Sequence, residues 1–320
     1  MPAPRRVTIA TVTLALALLG VVPTGTAQTG TAATPVTVAP ITVAPITVAP
    51  VTVAKAFAGA GHYVALGDSF AAGPFIPVQG TDPLGCARSS RNYPALVAEG
   101  LGVAEFTDVT CSAATTEDMT AAQDVPLGSN PPQFNALRPD TDLVTVSIGG
   151  NNIGFSDIVL TCGRLSFTDP AGDPCRRQAT AGGTDVYAER ILAAVPQVAT
   201  VLQGIRERSP DATVLLVGYL RILPPAQGCW PLVPISRGDV PYLDGIQQQL
   251  TKMLATQAED NGAVFVDAYA GSLGRDICQP PLVKWVEGII PTSPAYPVHP
   301  NARGMRAVAD LTLGTLTSPV

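Results

Sequence analysis

The feature that most constrains this 320-residue chain is an alternation: from Tyr63 onward, short apolar runs are separated by longer stretches of helical periodicity. The runs 63–66, 106–109, 143–148, 214–217 and 264–266 are continuous and rich in β-branched residues. A strand covered on both faces reads that way, because neither set of alternate side chains meets water. The stretches 92–101, 184–208 and 240–260, and the run after Asn301, have the length and spacing of amphipathic helices. Parallel strands need such crossovers, so the pattern predicts an α/β domain built on a doubly wound, parallel, five-stranded sheet. In that architecture functional groups collect at the carboxyl ends of the strands.

Two segments precede this domain. Arg5-Arg6 leads into an apolar run, 7–22, followed by the small residues Thr24-Gly25-Thr26-Ala27. Charged, apolar and small regions in that order predict a secretory signal over residues 1–27, cleaved near Ala27, and hence a secreted protein. The apolar run is shorter than the roughly 20 residues of a membrane-spanning helix. Residues 28–60 carry Thr37-Val38-Ala39-Pro40, Ile41-Thr42-Val43-Ala44-Pro45, Ile46-Thr47-Val48-Ala49-Pro50 and Val51-Thr52-Val53-Ala54. Proline at every fifth position, Pro40, Pro45 and Pro50, removes a backbone donor and blocks helix, which predicts an extended, disordered spacer; standing off from or inserting into the cell envelope is the functional alternative. The globular domain is expected over residues 61–320.

Six cysteines suit an exported chain. Their grouped spacing favours Cys86 with Cys111, Cys162 with Cys175, and Cys229 with Cys278, each pair closing a local loop. No pair has the close double spacing of a zinc site, so no metal is expected. A net charge of −6 without a cluster of Lys or Arg argues against nucleic acid or an anionic membrane as the main partner.

Only two histidines occur, His62 and His299. Imidazole has the ordinary pKa nearest physiological pH, so proton transfer in this chain has few places to sit. His62 opens the first strand run, at the domain's edge. His299 lies in Tyr296-Pro297-Val298-His299-Pro300-Asn301, which taken alone also reads as a surface loop. At the first strand end, Gly67-Asp68-Ser69 sets a hydroxyl at the cleft beside backbone N–H groups able to receive an anion. The same residues suit a helix cap equally well. At the third strand end, Gly149-Gly150-Asn151-Asn152 either aims an amide across the cleft or simply makes a turn.

Gly67-Asp68-Ser69, Gly149-Gly150-Asn151-Asn152 and His299-Pro300-Asn301, in that order, resemble the SGNH, or GDSL, hydrolase superfamily. With its grouped cysteines the chain is similar to the secreted actinobacterial lipase and esterase branch, from about residue 63 to the end. The resemblance implies a flavodoxin-like three-layer α/β/α sandwich. It implies carboxylic ester hydrolysis through an acyl-enzyme without a cofactor, with Ser69 as nucleophile and His299 as general base and then acid. It also implies an oxyanion hole of the Ser69 N–H, the Ala113 N–H and the Asn151 side chain.

Two positions depart from the family pattern. Cys111-Ser112-Ala113-Ala114 has alanine where relatives carry glycine, a penalty if the position needs positive φ. The aspartate usual three residues before the histidine is Tyr296 here, and a neutral phenol cannot replace a carboxylate. The expectation is a Ser69–His299 dyad in which the Tyr296 backbone carbonyl accepts from imidazole Nδ1–H.

The expected substrate is a small-molecule or lipid ester, handled by a monomer in contact with a lipid interface or the cell envelope. Phe155, Trp230, Trp285 and the Pro-rich segments 223–234 and 290–297 are candidates to line an acyl cleft or to pack the core. Asp68 reads as structural. A carbohydrate O-deacetylase or an acyltransferase would use the same dyad, and a non-catalytic envelope-binding module the same fold.

Overall fold

The computed structural model describes residues 61–317. The signal and spacer expected over 1–27 and 28–60 lie outside the described residues, as do 318–320. The strands are β1 (His62–Gly67), β2 (Glu105–Asp108), β3 (Gln123–Val125), β4 (Gly128–Asn130), β5 (Thr141–Ser147), β6 (Thr213–Val217) and β7 (Val264–Val266). The helices are α1 (Ser69–Ala72), α2 (Tyr93–Leu101), α3 (Phe155–Ser166), α4 (Pro174–Ala179), α5 (Val186–Arg208), α6 (Asp239–Asp260), α7 (Ala268–Gly271) and α8 (Ala302–Thr317).

Five strands form one parallel sheet in the order β2-β1-β5-β6-β7, and β3 pairs antiparallel with β4 as a separate hairpin. Every residue of β1 is buried, as are all but one of β5 and of β6, whereas β2 and β7 are partly exposed at the edges. This is the burial that continuous apolar runs require, since helices cover both faces. On one face α2 packs on α8, and on the other α5 packs on α6, which makes a three-layer α/β/α sandwich.

Local chemistry sets the helix ends. The Asn92 side chain accepts from the Ala95 N–H at 3.0 Å to start α2, and Gly102 ends it in the left-handed conformation at φ 60°. Asp185 caps α5 in the same manner. The strand order gives the site its place. From β1 the chain builds first to β2 on one side and then to β5 on the other, so the loops leaving β1 and β5 part and open a crevice at their carboxyl ends.

The hairpin and the helices α3 and α4 lie outside the strand–helix alternation. Helix α3 buries Ile158 and Cys162, one turn apart, and Cys162 is disulfide-bonded to Cys175 of α4. The other disulfides are Cys86–Cys111 and Cys229–Cys278, both in irregular segments beside the crevice or its walls.

Candidate active site

The turn after β1 is the first part of the site. Gly67 adopts φ 141°, and a Cβ there would lie 2.5 Å from the Ser147 carbonyl oxygen, so only glycine fits. Fully buried Gln133 holds both polar groups of Gly67, its Oε1 accepting from the Gly67 N–H at 2.7 Å and its Nε2 donating to the Gly67 carbonyl at 3.0 Å. The Asp68 side chain caps α1 by accepting from the Phe70 N–H at 2.9 Å. Ser69 thereby stands at the head of α1, 9% exposed, with its N–H directed to no protein acceptor.

Ser69 Oγ lies 2.8 Å from His299 Nε2, although 230 residues separate them in sequence. His299 Nδ1 lies 2.8 Å from the Pro297 carbonyl oxygen. A carbonyl only accepts, so Nδ1 carries the hydrogen and the neutral ring offers Nε2 as acceptor for the serine hydroxyl. The carbonyl on Nδ1 is therefore that of Pro297, which corrects the expectation of Tyr296. The Tyr296 carbonyl is taken by the His299 backbone N–H at 3.2 Å, and left-handed Val298, at φ 61°, turns the next carbonyl up toward the ring. A β-branched residue rarely adopts that conformation. Here it is held by bonds from the Val298 N–H to the carbonyls of Glu287 and Gly288, and by the Glu287 N–H donating to the His299 carbonyl at 2.9 Å.

A buried polar cluster stands behind this loop. Lys284 Nζ is 2.8 Å from Glu287 Oε2, which also accepts from the Thr292 N–H at 2.8 Å, while Asn301 Nδ2 donates to Glu287 Oε1 at 2.8 Å. Asn301 Oδ1 in turn accepts from the N–H groups of Arg303 and Gly304 at the start of α8. The asparagine of His299-Pro300-Asn301 thus ties the loop to the helix, and neither Glu287 nor Lys284 carries a sequence signal of that role.

Two further segments reach the crevice. Asn151 Nδ2 donates one hydrogen to the Ala114 carbonyl at 2.9 Å and keeps a second for the cleft. Ala113 sits at φ 65°. A glycine would hold that angle without steric cost, whereas alanine pays about 1–2 kcal/mol, offset by the anchoring of its neighbours. Cys111 is bonded to Cys86 and donates its N–H to Gly67, and Gln123 Nε2 donates to the Ser112 carbonyl at 2.8 Å. Like that of Ser69, the Ala113 N–H has no acceptor in the protein backbone.

A cavity of about 500 Å³ opens at Ser69 and His299 and runs between α3 and α6. It is lined by Phe155, Ile158 and Val159 of α3, by Leu243, Ile246 and Leu250 of α6, and by Leu223, Val233 and Ile277. Phe155 and parts of both Pro-rich segments line it, but Trp230 packs on Phe167 and Trp285 stands against Arg275, so neither tryptophan does. His62 is remote: β1 rises about 3.3 Å per residue, which puts it ~20 Å from Ser69. It is buried between Thr141 Oγ1 at 3.1 Å and Thr107 Oγ1 at 3.0 Å, bridging β1 to both neighbours. Among the described residues no group of three His, Cys, Asp or Glu could hold a metal ion, and no helix is long and apolar enough to cross a membrane.

Sequence reasoning singled out Ser69, Ala113, Asn151 and His299, and the structure brings all four to one cavity mouth. It missed Gln133, Glu287 and Tyr219. Tyr219 was findable in principle, since it closely follows a strand, β6, at its carboxyl end.

Comparison with known proteins accords with this geometry. Residues 65–307 match the GDSL-like Lipase/Acylhydrolase family. The chain is 40% identical over 260 residues to Lipase 2 of Streptomyces coelicolor, covering 79% of this chain and 85% of that protein. It is 32% identical over 247 residues to an esterase of Streptomyces scabiei, covering 67% and 72%. Among solved structures, phospholipase A1 from Streptomyces albidoflavus superposes with a TM-score of 0.67 at 26% identity, covering 80% of this chain and 100% of that one. An extracellular lipase from Streptomyces rimosus gives 0.63 with the same identity and coverage.

Proposed function

This chain belongs to the GDSL-like lipase/acylhydrolase family and is a serine-dependent carboxylic ester hydrolase, and from that premise we propose that Ser69 and His299 form its catalytic dyad. The observation that carries the proposal is the 2.8 Å contact of Ser69 Oγ with His299 Nε2 at the mouth of an apolar cavity. His299 Nε2 takes the hydroxyl proton as Oγ attacks the ester carbonyl carbon, and Nδ1–H stays on the Pro297 carbonyl. The oxyanion meets the N–H groups of Ser69 and Ala113 and the amide of Asn151, donors already oriented and hence strongest where charge develops. The imidazolium then protonates the departing alcohol, and water, deprotonated by His299, releases the acid from the acyl-enzyme.

The substrate is an ester with an apolar acyl chain lying between α3 and α6. Buried methylenes contribute about 0.8 kcal/mol each, so kcat/KM for aryl esters is expected to rise about fourfold per added methylene until the cavity is full. A profile confined to acetyl esters would instead favour a carbohydrate deacetylase. Phe75, 57% exposed, and Tyr296 flank the mouth with ring centroids 5.4 Å apart, which supports contact with a lipid surface. A monomer suffices for these roles, since the dyad and the proposed oxyanion donors all come from one chain. Residues 1–27 act as an export signal and 28–60 as a spacer to a domain over 61–320. The disulfides favour the same secreted setting.

Burial pushes His299 down to about 4, with the Pro297 carbonyl opposing the shift. Protonation removes the base, so kcat/KM falls as pH drops through that value and is retained at about pH 5, where an ordinary histidine is charged. A pH profile whose acid limb sits at the ordinary histidine value of 6.5 contradicts this assignment.

A further inference from the structure

We propose that Tyr219 is a positioning residue for ester hydrolysis, its hydroxyl locking the turn that carries Ser69 to the loop that carries Asn151. The inference rests on the roles proposed above for those two residues. Tyr219 Oη donates to Asp68 Oδ2 at 2.6 Å and accepts from the Gly150 N–H at 2.8 Å. All three groups are buried. Since β5 lies between β1 and β6 in the sheet, the phenol reaches from the end of β6 over the end of β5 to the end of β1. One hydroxyl therefore joins the residue before the nucleophile to the residue before the oxyanion amide.

The fit around the hydroxyl is close. A Cβ on Gly150 would lie 3.0 Å from Tyr219 Oη, so the second glycine of Gly149-Gly150 is what admits the bond. The Tyr219 ring is also wedged edge-on against Phe70 at 5.1 Å between centroids. Burial pushes the Asp68 carboxyl up to about 7 against the pull of Tyr219 and the Phe70 N–H, and Tyr219 itself is raised well above its ordinary range by burial and by Asp68. The phenol thus stays protonated and donates to the Asp68 carboxyl wherever that group is ionised.

Removing the hydroxyl leaves the Gly150 N–H and Asp68 Oδ2 without partners in a buried place, and the two segments shift to recover them. A displacement of about 1 Å at such donors costs on the order of 100-fold in rate. The test compares Tyr219→Phe, Asn151→Ala and the double variant, with kcat expressed per fluorophosphonate-titrated site so that unfolded protein does not count. Tyr219→Phe is expected to lower kcat about 100-fold with KM within about twofold, and Asn151→Ala by about 100- to 1000-fold. The double variant should fall little below Asn151→Ala alone, because what the bridge fixes is the place of the Asn151 amide relative to Ser69, and that relation no longer matters once the amide is gone. Asp68→Asn, whose Oδ1 keeps the Phe70 N–H, sets an amide donor against the phenol in place of its acceptor and should lower kcat in the same sense. An unchanged kcat in Tyr219→Phe, or losses that multiply in the double variant, overturns the inference while leaving the dyad intact. An Asn151→Ala enzyme of full activity overturns the oxyanion assignment and the inference with it.

Discussion

Ser69→Ala and His299→Ala are each expected to lower kcat by about a millionfold, and the double variant is expected to be no slower than either. The reason is that the two groups act as one device. Without the imidazole the hydroxyl stays protonated and is a weak nucleophile, and without the hydroxyl the imidazole has nothing to activate. The residual rate comes from the oxyanion donors and from binding, which neither substitution touches. Ser69→Ala removes one oxygen from a position that caps nothing, since the cap of α1 is Asp68, so folding should be unaffected. The measurement is steady-state hydrolysis of an aryl ester together with fluorophosphonate labelling. Labelling that persists in Ser69→Ala, or single losses that multiply in the double variant, would remove the dyad from the account.

The second large effect is on stability. Glu287 is fully buried and its carboxylate faces Lys284, Thr292 and Asn301. Replacing it with alanine leaves the Lys284 ammonium buried and unpaired, which typically costs about 3–5 kcal/mol, a large share of a domain's net stability. A fall of about 10 °C in Tm is expected for a chain of this size. Lys284→Met combined with Glu287→Met should recover much of that loss, because an apolar pair replaces two desolvated charges. Activity should recover less, since Asn301 and Thr292 still lack their partner and the His299 loop is less firmly held. Burial alone would raise the Glu287 carboxyl, but Lys284, the Thr292 N–H and Asn301 outweigh it and hold it below the ordinary 4.5. Its stabilising contribution is therefore present above that value and is lost as pH falls through the lower folded-state pKa. Denaturant titrations at neutral and acid pH, on wild type and Glu287→Ala, test this: a difference that does not shrink on acidification would show the pair to be irrelevant.

These expectations divide between what periodicity carries and what only contact carries. The central strands β1, β5 and β6 and the helices α2, α5, α6 and α8 were readable because burial on both faces, or on one stripe, writes itself into consecutive residues, and the edge strands β2 and β7 followed from their place in the alternation. Helix α3 was missed although Phe155, Ile158, Val159, Cys162 and Leu165 recur at helical spacing, because α5 by itself already supplies the crossover from β5 to β6. The hairpin β3–β4 has three-residue strands, too short for any alternation to register.

The site divides in the same way. Ser69 and Asn151 stand at strand-end turns rich in glycine, aspartate and asparagine, and His299 in an irregular segment ahead of α8; taken one by one these settings also read as caps, turns or surface, and it is the resemblance of the three ordered motifs to the family that singles the residues out. Which carbonyl faces His299 is not local. It follows from the left-handed Val298, and that conformation survives only because segment 285–288 binds both sides of the loop. Likewise Ala113 keeps a strained φ because a disulfide and Gln123 hold its neighbours. Tyr219 matters because the strand order sets β5 between it and Asp68. The sequence by itself determined the layers and the strand ends, since segregation from water and turn sterics act on neighbours along the chain, and it offered the candidate site residues through the family resemblance. The tertiary structure alone decided the orientation of the imidazole, the support behind it and the lining of the cavity, since each is set by groups that meet only after the sheet has formed.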